Sequence, residues 1–127
     1  MHIDHITLRT DHLEETRDFF VRVFDLVEGL RPASIARAIP GYWLYWRDAP
    51  LVHLIPGSFY HDRNGNAAAE AIDHIAFYME DYEGFKQRLI ELKIKFSAMD
   101  LPDIGERRIF LRTPTGILLE TVFRVEK

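Results

Sequence analysis

Apolar and polar positions alternate from Ile3 to Thr10 with β-branched types prominent, which predicts a strand with Ile3, His5, Thr7 and Arg9 on one face. Asp11 and Glu14 then form a capping-box signature. Leu13, Phe20, Val23, Phe24 and Val27 follow at helical spacing, predicting a helix that Gly29 stops. A strand is expected around Arg37. The run Tyr42-Trp43-Leu44-Tyr45-Trp46 is strongly β-prone, Asp48-Ala49-Pro50 turns the chain, and Leu51 to Ile55 forms another short strand ended by Pro56-Gly57. Alternate residues of the aromatic run are expected to pack beneath the helix.

Ser58 to Ala69 has the composition of a surface loop and separates two modules, 1–65 and 66–127. Ala71 to Tyr78 predicts a strand. Asp81 caps a helix whose apolar face is Tyr82, Phe85, Leu89 and Leu92. Ile109 to Arg112 and Ile117 to Phe123 are strands joined by a Thr113-Pro114-Thr115-Gly116 turn, while Arg107 and Arg108 are expected in a solvated turn, the alternative being that they close over an anionic substrate.

The second half repeats the first. Ile3-Asp4-His5-Ile6 matches Ile72-Asp73-His74-Ile75 at an offset of 69, and Leu51-Val52-His53-Leu54-Ile55 matches Leu118-Leu119-Glu120-Thr121-Val122 at an offset of 67. Each half therefore carries one metal-capable side chain on its first strand and another on its last. His53 and Glu120 share a strand face with apolar neighbours, and a polar group buried there needs a partner. Convergence of His5, His53, His74 and Glu120 on one divalent cation would satisfy all four. Three imidazoles and a carboxylate suit Fe, Ni, Zn, Mn or Co, with positions left open for substrate. For any one histidine the competing role is a satisfied structural residue. His2, His12 and His61 have no counterpart in the other half and are expected at the surface.

Composition narrows the alternatives. The chain has 127 residues, a net charge of −4 and no cysteine, so disulfides, thiolate metal sites and a cysteine nucleophile drop out. Lacking runs of basic residues, it is not expected to bind nucleic acid. No stretch resembles a signal peptide or a membrane span, so a cytoplasmic protein is expected.

The segments Asp4-His5-Ile6-Thr7-Leu8, Phe24-Asp25-Leu26, Asp73-His74-Ile75-Ala76-Phe77 and Phe110-Leu111-Arg112-Thr113-Pro114-Thr115-Gly116, the last leading to Leu119-Glu120, resemble the vicinal oxygen chelate superfamily. This is the glyoxalase, bleomycin-resistance and dioxygenase group. The resemblance spans nearly the whole chain. It implies an α+β fold of two βαβββ modules forming open, cup-like sheets. It also implies a homodimer with metal ligands at His5, His74 and Glu120 and a variable fourth at His53. In many such dimers each site draws ligands from both chains.

The activity implied is metal-dependent isomerase or lyase chemistry of the lactoylglutathione-lyase type, on a small substrate that chelates the metal through adjacent oxygens. Glu120 would be the catalytic carboxylate. His53 departs from the Glu or Gln usual there in glyoxalase I. Arg9 resembles a contact to the glutathione carboxylate, and Trp43 and Tyr45 would line the substrate pocket. One alternative is an extradiol dioxygenase acting on a catechol, which would use His5, His74 and Glu120 on Fe(II). Another is a metal-free, bleomycin-resistance-like drug-binding protein.

Overall fold

The computed structural model describes residues 1–59 and 72–125. The chain divides into two compact units, Met1–Ala68 and Ala69–Lys127. Most of the expected loop, the expected module boundary, the start of the strand at Ala71, and His61 lie outside the described residues.

Unit 1 runs β1 (Ile6–Thr10), α1 (Leu13–Phe24), β2 (Val27–Gly29), α2 (Ala33–Ala38), β3 (Tyr42–Trp46) and β4 (Ala49–Pro56). Its sheet has the order β1-β4-β3-β2, with β1 parallel to β4 and the other pairs antiparallel. Unit 2 runs β5 (Ile75–Tyr78), α3 (Tyr82–Glu91), β6 (Phe96–Leu101), a 3₁₀ turn (Pro102–Ile104), β7 (Glu106–Arg112) and β8 (Leu118–Arg124). The order β5-β8-β7-β6 repeats the first sheet, including its parallel pair. Each unit is thus an open, cup-like βαβββ module of an α+β fold.

In each unit one helix determines which sheet face is core. Phe19, Phe20, Val23 and Phe24 of α1 are buried, as are Leu8, Leu44, Val52 and Leu54 of the sheet it packs on. Burying each such side chain contributes roughly 1.5–3 kcal/mol. In unit 2 Phe85 and Leu89 of α3 are buried, as are Ile109, Leu111, Leu119 and Phe123 of the sheet. Because strand side chains alternate, the face away from the helix takes His53 with Trp43 in unit 1, and Glu120 with Phe110 in unit 2. Of the aromatic run, Leu44 is fully buried beneath α1 and Tyr42 on the same side donates to Glu14 of that helix, whereas Trp46, beyond the register shift between Leu44 and Tyr45, is exposed.

Local structure departs from the expected pattern at five places. Helix α1 ends at Phe24 rather than at Gly29, because Asp25 takes a left-handed conformation (φ 56°) and the Leu26 N–H closes back on the Phe20 carbonyl. Val27 is therefore an exposed strand residue. The cap position is His12, not Asp11, and Thr10 Oγ1 accepts the His12 N–H at 2.9 Å. Residues 33–38 form a helix where a strand was expected around Arg37, and β6 occupies a stretch with no clear alternation. Arg107 and Arg108 belong to β7, not to a solvated turn. Asp81 does cap α3, accepting the Gly84 N–H at 3.0 Å. Among the described residues no helix is long and apolar enough to cross a membrane.

Gly41 fixes the entry to β3. Its φ is +142°, and an added Cβ would run into the Leu54 carbonyl oxygen of β4. Gly41→Ala should destabilise the protein by ~2 kcal/mol or more, read as a lower urea midpoint at unchanged slope. An unshifted midpoint would show that β3 enters the sheet without this constraint.

Candidate functional site

In unit 2 the parallel pairing of β5 with β8 sets Ala76 against Glu120. His74, two residues before Ala76, leads into β5 on the Glu120 side. Its Nε2 lies 2.9 Å from Glu120 Oε2, and its Nδ1 lies 2.8 Å from Asp73 Oδ2. Ionised carboxylates only accept, so both ring nitrogens carry hydrogen and the imidazole is a cation. Its pKa is raised, chiefly by the Asp73 hydrogen bond and then by the Glu120 charge.

Glu120 is only 3% exposed. Its other oxygen, Oε1, faces Arg108 Nη1 at 2.9 Å, an ion pair lying off the line of a well-aligned hydrogen bond. Arg108 is held in turn by Glu106, whose Oε1 accepts from Nη2 at 2.7 Å and from Nε at 3.3 Å.

In unit 1 the matching register sets Thr7 against His53. His5 again has the preceding aspartate on its Nδ1, with Asp4 Oδ2 at 2.7 Å, and this bond holds the Asp4 carboxyl below its ordinary range. What faces His5 is different. The His53 ring stacks on it at 3.9 Å between centroids and 12° between planes, and Trp43 stacks on the other side of His53 at 4.1 Å and 13°. A register shift between Leu44 and Tyr45 sets Pro50 opposite Tyr45, and the Pro50 carbonyl accepts from His53 Nε2 at 3.1 Å. Burial, reinforced by the nearby His5, pushes the His53 pKa down to about 4.

The predicted site residues thus stand as two pairs, His5 with His53 and His74 with Glu120. Among the described residues no group of three or more His, Asp or Glu is gathered as a metal cluster. The unit 2 pair suits a divalent ion: an imidazole nitrogen and a carboxylate oxygen converge, and a second carboxylate orients the ring from behind. The unit 1 stack does not suit joint ligation by both of its imidazoles. Ring lone pairs lie in the ring plane, and two stacked, nearly parallel planes do not meet at a point about 2 Å from both nitrogens. In this arrangement His53, expected as the fourth ligand, also has Nε2 engaged by Pro50.

Arg9 is exposed on β1, next in register to Ile55. Trp43 is half-buried against His53. Tyr45 lies over Gly29 and donates its hydroxyl to the Leu30 carbonyl. His2 and His12 are exposed. Arg108 is the site residue that sequence reasoning missed. Its signal was the Glu106-x-Arg108 spacing on one strand face, diagonal to Glu120 across the sheet.

The family model described as the Glyoxalase/Bleomycin resistance protein/Dioxygenase superfamily matches residues 2–121. Among solved structures, a glyoxalase family protein from Bacillus anthracis is similar at 24% identity and TM-score 0.73, covering 98% of this chain and 95% of that one. A lactoylglutathione lyase from Agrobacterium tumefaciens is similar at 21% identity and TM-score 0.68, covering 96% and 92%. The fosfomycin resistance protein FosX from Listeria monocytogenes is similar at 18% identity and TM-score 0.69, covering 97% and 93%. At these identities the likeness shows the fold. Among curated proteins no match is found.

The depressed His53 pKa makes stability pH-dependent in the metal-free protein. As pH falls from 6.5 towards 4 the unfolded chain takes up a proton that the folded chain refuses, so stability drops across that window and levels off below it. The share due to His53 is on the order of 3 kcal/mol. Urea unfolding of wild type and His53→Gln across this range should show a shallower loss in the variant. Parallel curves would assign the acid sensitivity elsewhere.

Proposed function

Since the chain belongs to the glyoxalase, bleomycin resistance protein and dioxygenase superfamily, we propose that it is a divalent-metal enzyme of the lactoylglutathione-lyase type. It would perform isomerase or lyase chemistry on a small substrate with adjacent metal-binding oxygens. The observation that carries this proposal is the 2.9 Å approach of His74 Nε2 to Glu120 Oε2, with Asp73 behind the ring. His5, backed by Asp4 in the same way, is the third ligand proposed. His53 joins the set only if its ring leaves the stack and the Pro50 carbonyl.

A bound ion of Fe, Ni, Zn, Mn or Co would supply Lewis-acid stabilisation of negative charge on the substrate oxygens. The chain's own groups do the rest. Glu120 is the one carboxylate among the proposed ligands and hence the candidate base, with Arg108 beside Oε1. His74 must give up its Nε2 proton before that nitrogen can bind a metal. Trp43 offers a flat apolar surface, and Arg9 a cation for an anionic substrate group. On this proposal the protein is a cytoplasmic homodimer whose sites draw ligand pairs from both chains.

A second activity is kept because His5, His74 and Glu120 are also the two-histidine, one-carboxylate set of Fe(II) oxygenases. Turnover of a hemithioacetal without oxygen supports the isomerase. Oxygen uptake with a catechol would replace it with a dioxygenase.

The first test is metal content. About one ion per chain is expected in wild type and none in Glu120→Ala. Because the His74 pKa is raised, acid should weaken binding about tenfold per pH unit below that pKa, with roughly one proton released per ion bound. Failure to take up any of the five metals on reconstitution would overturn the enzyme proposal in favour of a metal-free binding protein.

A further inference from the structure

Arg108 touches no atom proposed to bind metal, yet it occupies one oxygen of the carboxylate that does. Its strand position explains the reach. Phe110 pairs with Glu120 and Arg108 with Val122, so Arg108 stands diagonally across the β7–β8 ladder on the Glu120 face, at a separation a long side chain spans. Nη1 sits 2.9 Å from Oε1, and the rest of the guanidinium is pinned by Glu106 through Nη2 and Nε. Arg108 is therefore fixed from both ends. Glu120, buried in the sheet, has Oε1 taken by a cation and Oε2 turned to His74.

Resting on the metal role proposed above, we propose that Arg108 is a positioning residue that makes Glu120 a one-oxygen ligand. By holding Oε1 it leaves Oε2, beside His74 Nε2, as the single atom that the carboxylate offers to an ion. Without it the carboxylate is free to rotate and to bring both oxygens to the metal, which would close a position that substrate needs. Glu106 serves as the anchor that keeps the guanidinium from following the carboxylate towards the ion. The first repeat supports a link between the cation and the carboxylate. At the offset of 67 that relates Trp43 to Phe110 and His53 to Glu120, Arg108 corresponds to Gly41. The half without a carboxylate at that position is also without the arginine.

The experiment is Co(II) titration of the full chain, following both affinity and the visible d–d absorption, in wild type, Arg108→Met and Arg108→Lys. The methionine variant should bind Co(II) tenfold to a hundredfold more weakly. Its d–d band should lose intensity, as a second carboxylate oxygen raises the coordination number. The lysine variant, which keeps the charge without the fork, should recover part of the affinity. A general loss of stability would lower affinity without altering the band of the fraction bound. Wild-type binding left unaltered by Arg108→Met in affinity and band would overturn the role of Arg108 alone. If the methionine variant does not fold, Arg108→Gln, which also removes the charge, decides the matter, and an unaltered band there would overturn the role equally. Failure of the wild-type chain to bind Co(II) would overturn the metal proposal and the positioning role with it.

Discussion

A carboxylate buried in the middle of a sheet is the constraint on which the second unit is arranged. Glu120 is almost without solvent, and an ion in that position is tolerated only if its neighbours replace the water it has lost. They do so as a line of alternating charges: Asp73, His74, Glu120, Arg108 and Glu106, with successive contacts of 2.8, 2.9, 2.9 and 2.7 Å. The carboxylate at each end reaches towards solvent, and the one in the middle does not. Low effective dielectric around the buried Glu120 strengthens its two contacts, and the same low dielectric makes loss of either partner costly.

The first unit meets the same positional problem without charge. His53 occupies the register position of Glu120, and burial keeps its ring neutral. Its faces are covered by His5 and Trp43 rather than by ions, and one N–H is spent on the Pro50 carbonyl that the β-bulge brings within reach. One sheet topology thus supports two chemistries at one site, an ionic chain and an aromatic stack. The two differ in how they answer acid. The stack disfavours a proton on His53, while the flanking carboxylates favour one on His74.

Much of this was legible in the sequence because a repeat doubles every signal. The Ile-Asp-His-Ile segments and the Leu51 and Leu118 strands located both sheets and placed His53 and Glu120 on their faces, whereas His5 and His74, expected on strand faces, immediately precede β1 and β5. Strand alternation split the aromatic run into two faces but left open which of them is core, and burial of Leu44 decides it. What escaped were features set by backbone geometry and by long side chains crossing between strands. The left-handed Asp25 ended α1 early, since an aspartate can take a conformation that the pattern assigned to glycine. Stacking of His5 on His53 depends on rotamers that no spacing encodes. Arg108 looked like a solvated turn residue because the value of its charge lies on another strand, at Glu120.

The partners described for Glu120 all come from the second unit, and those described for His53 all come from the first. After a duplication this arrangement leaves each copy free to drift on its own. A substitution at position 53 disturbs a local stack of rings and leaves the charged line intact, so the first half can explore new residues at its open face while the second keeps its carboxylate. Divergence of specificity from a shared scaffold needs that kind of separation, and here it follows from where hydrogen bonds close within each module.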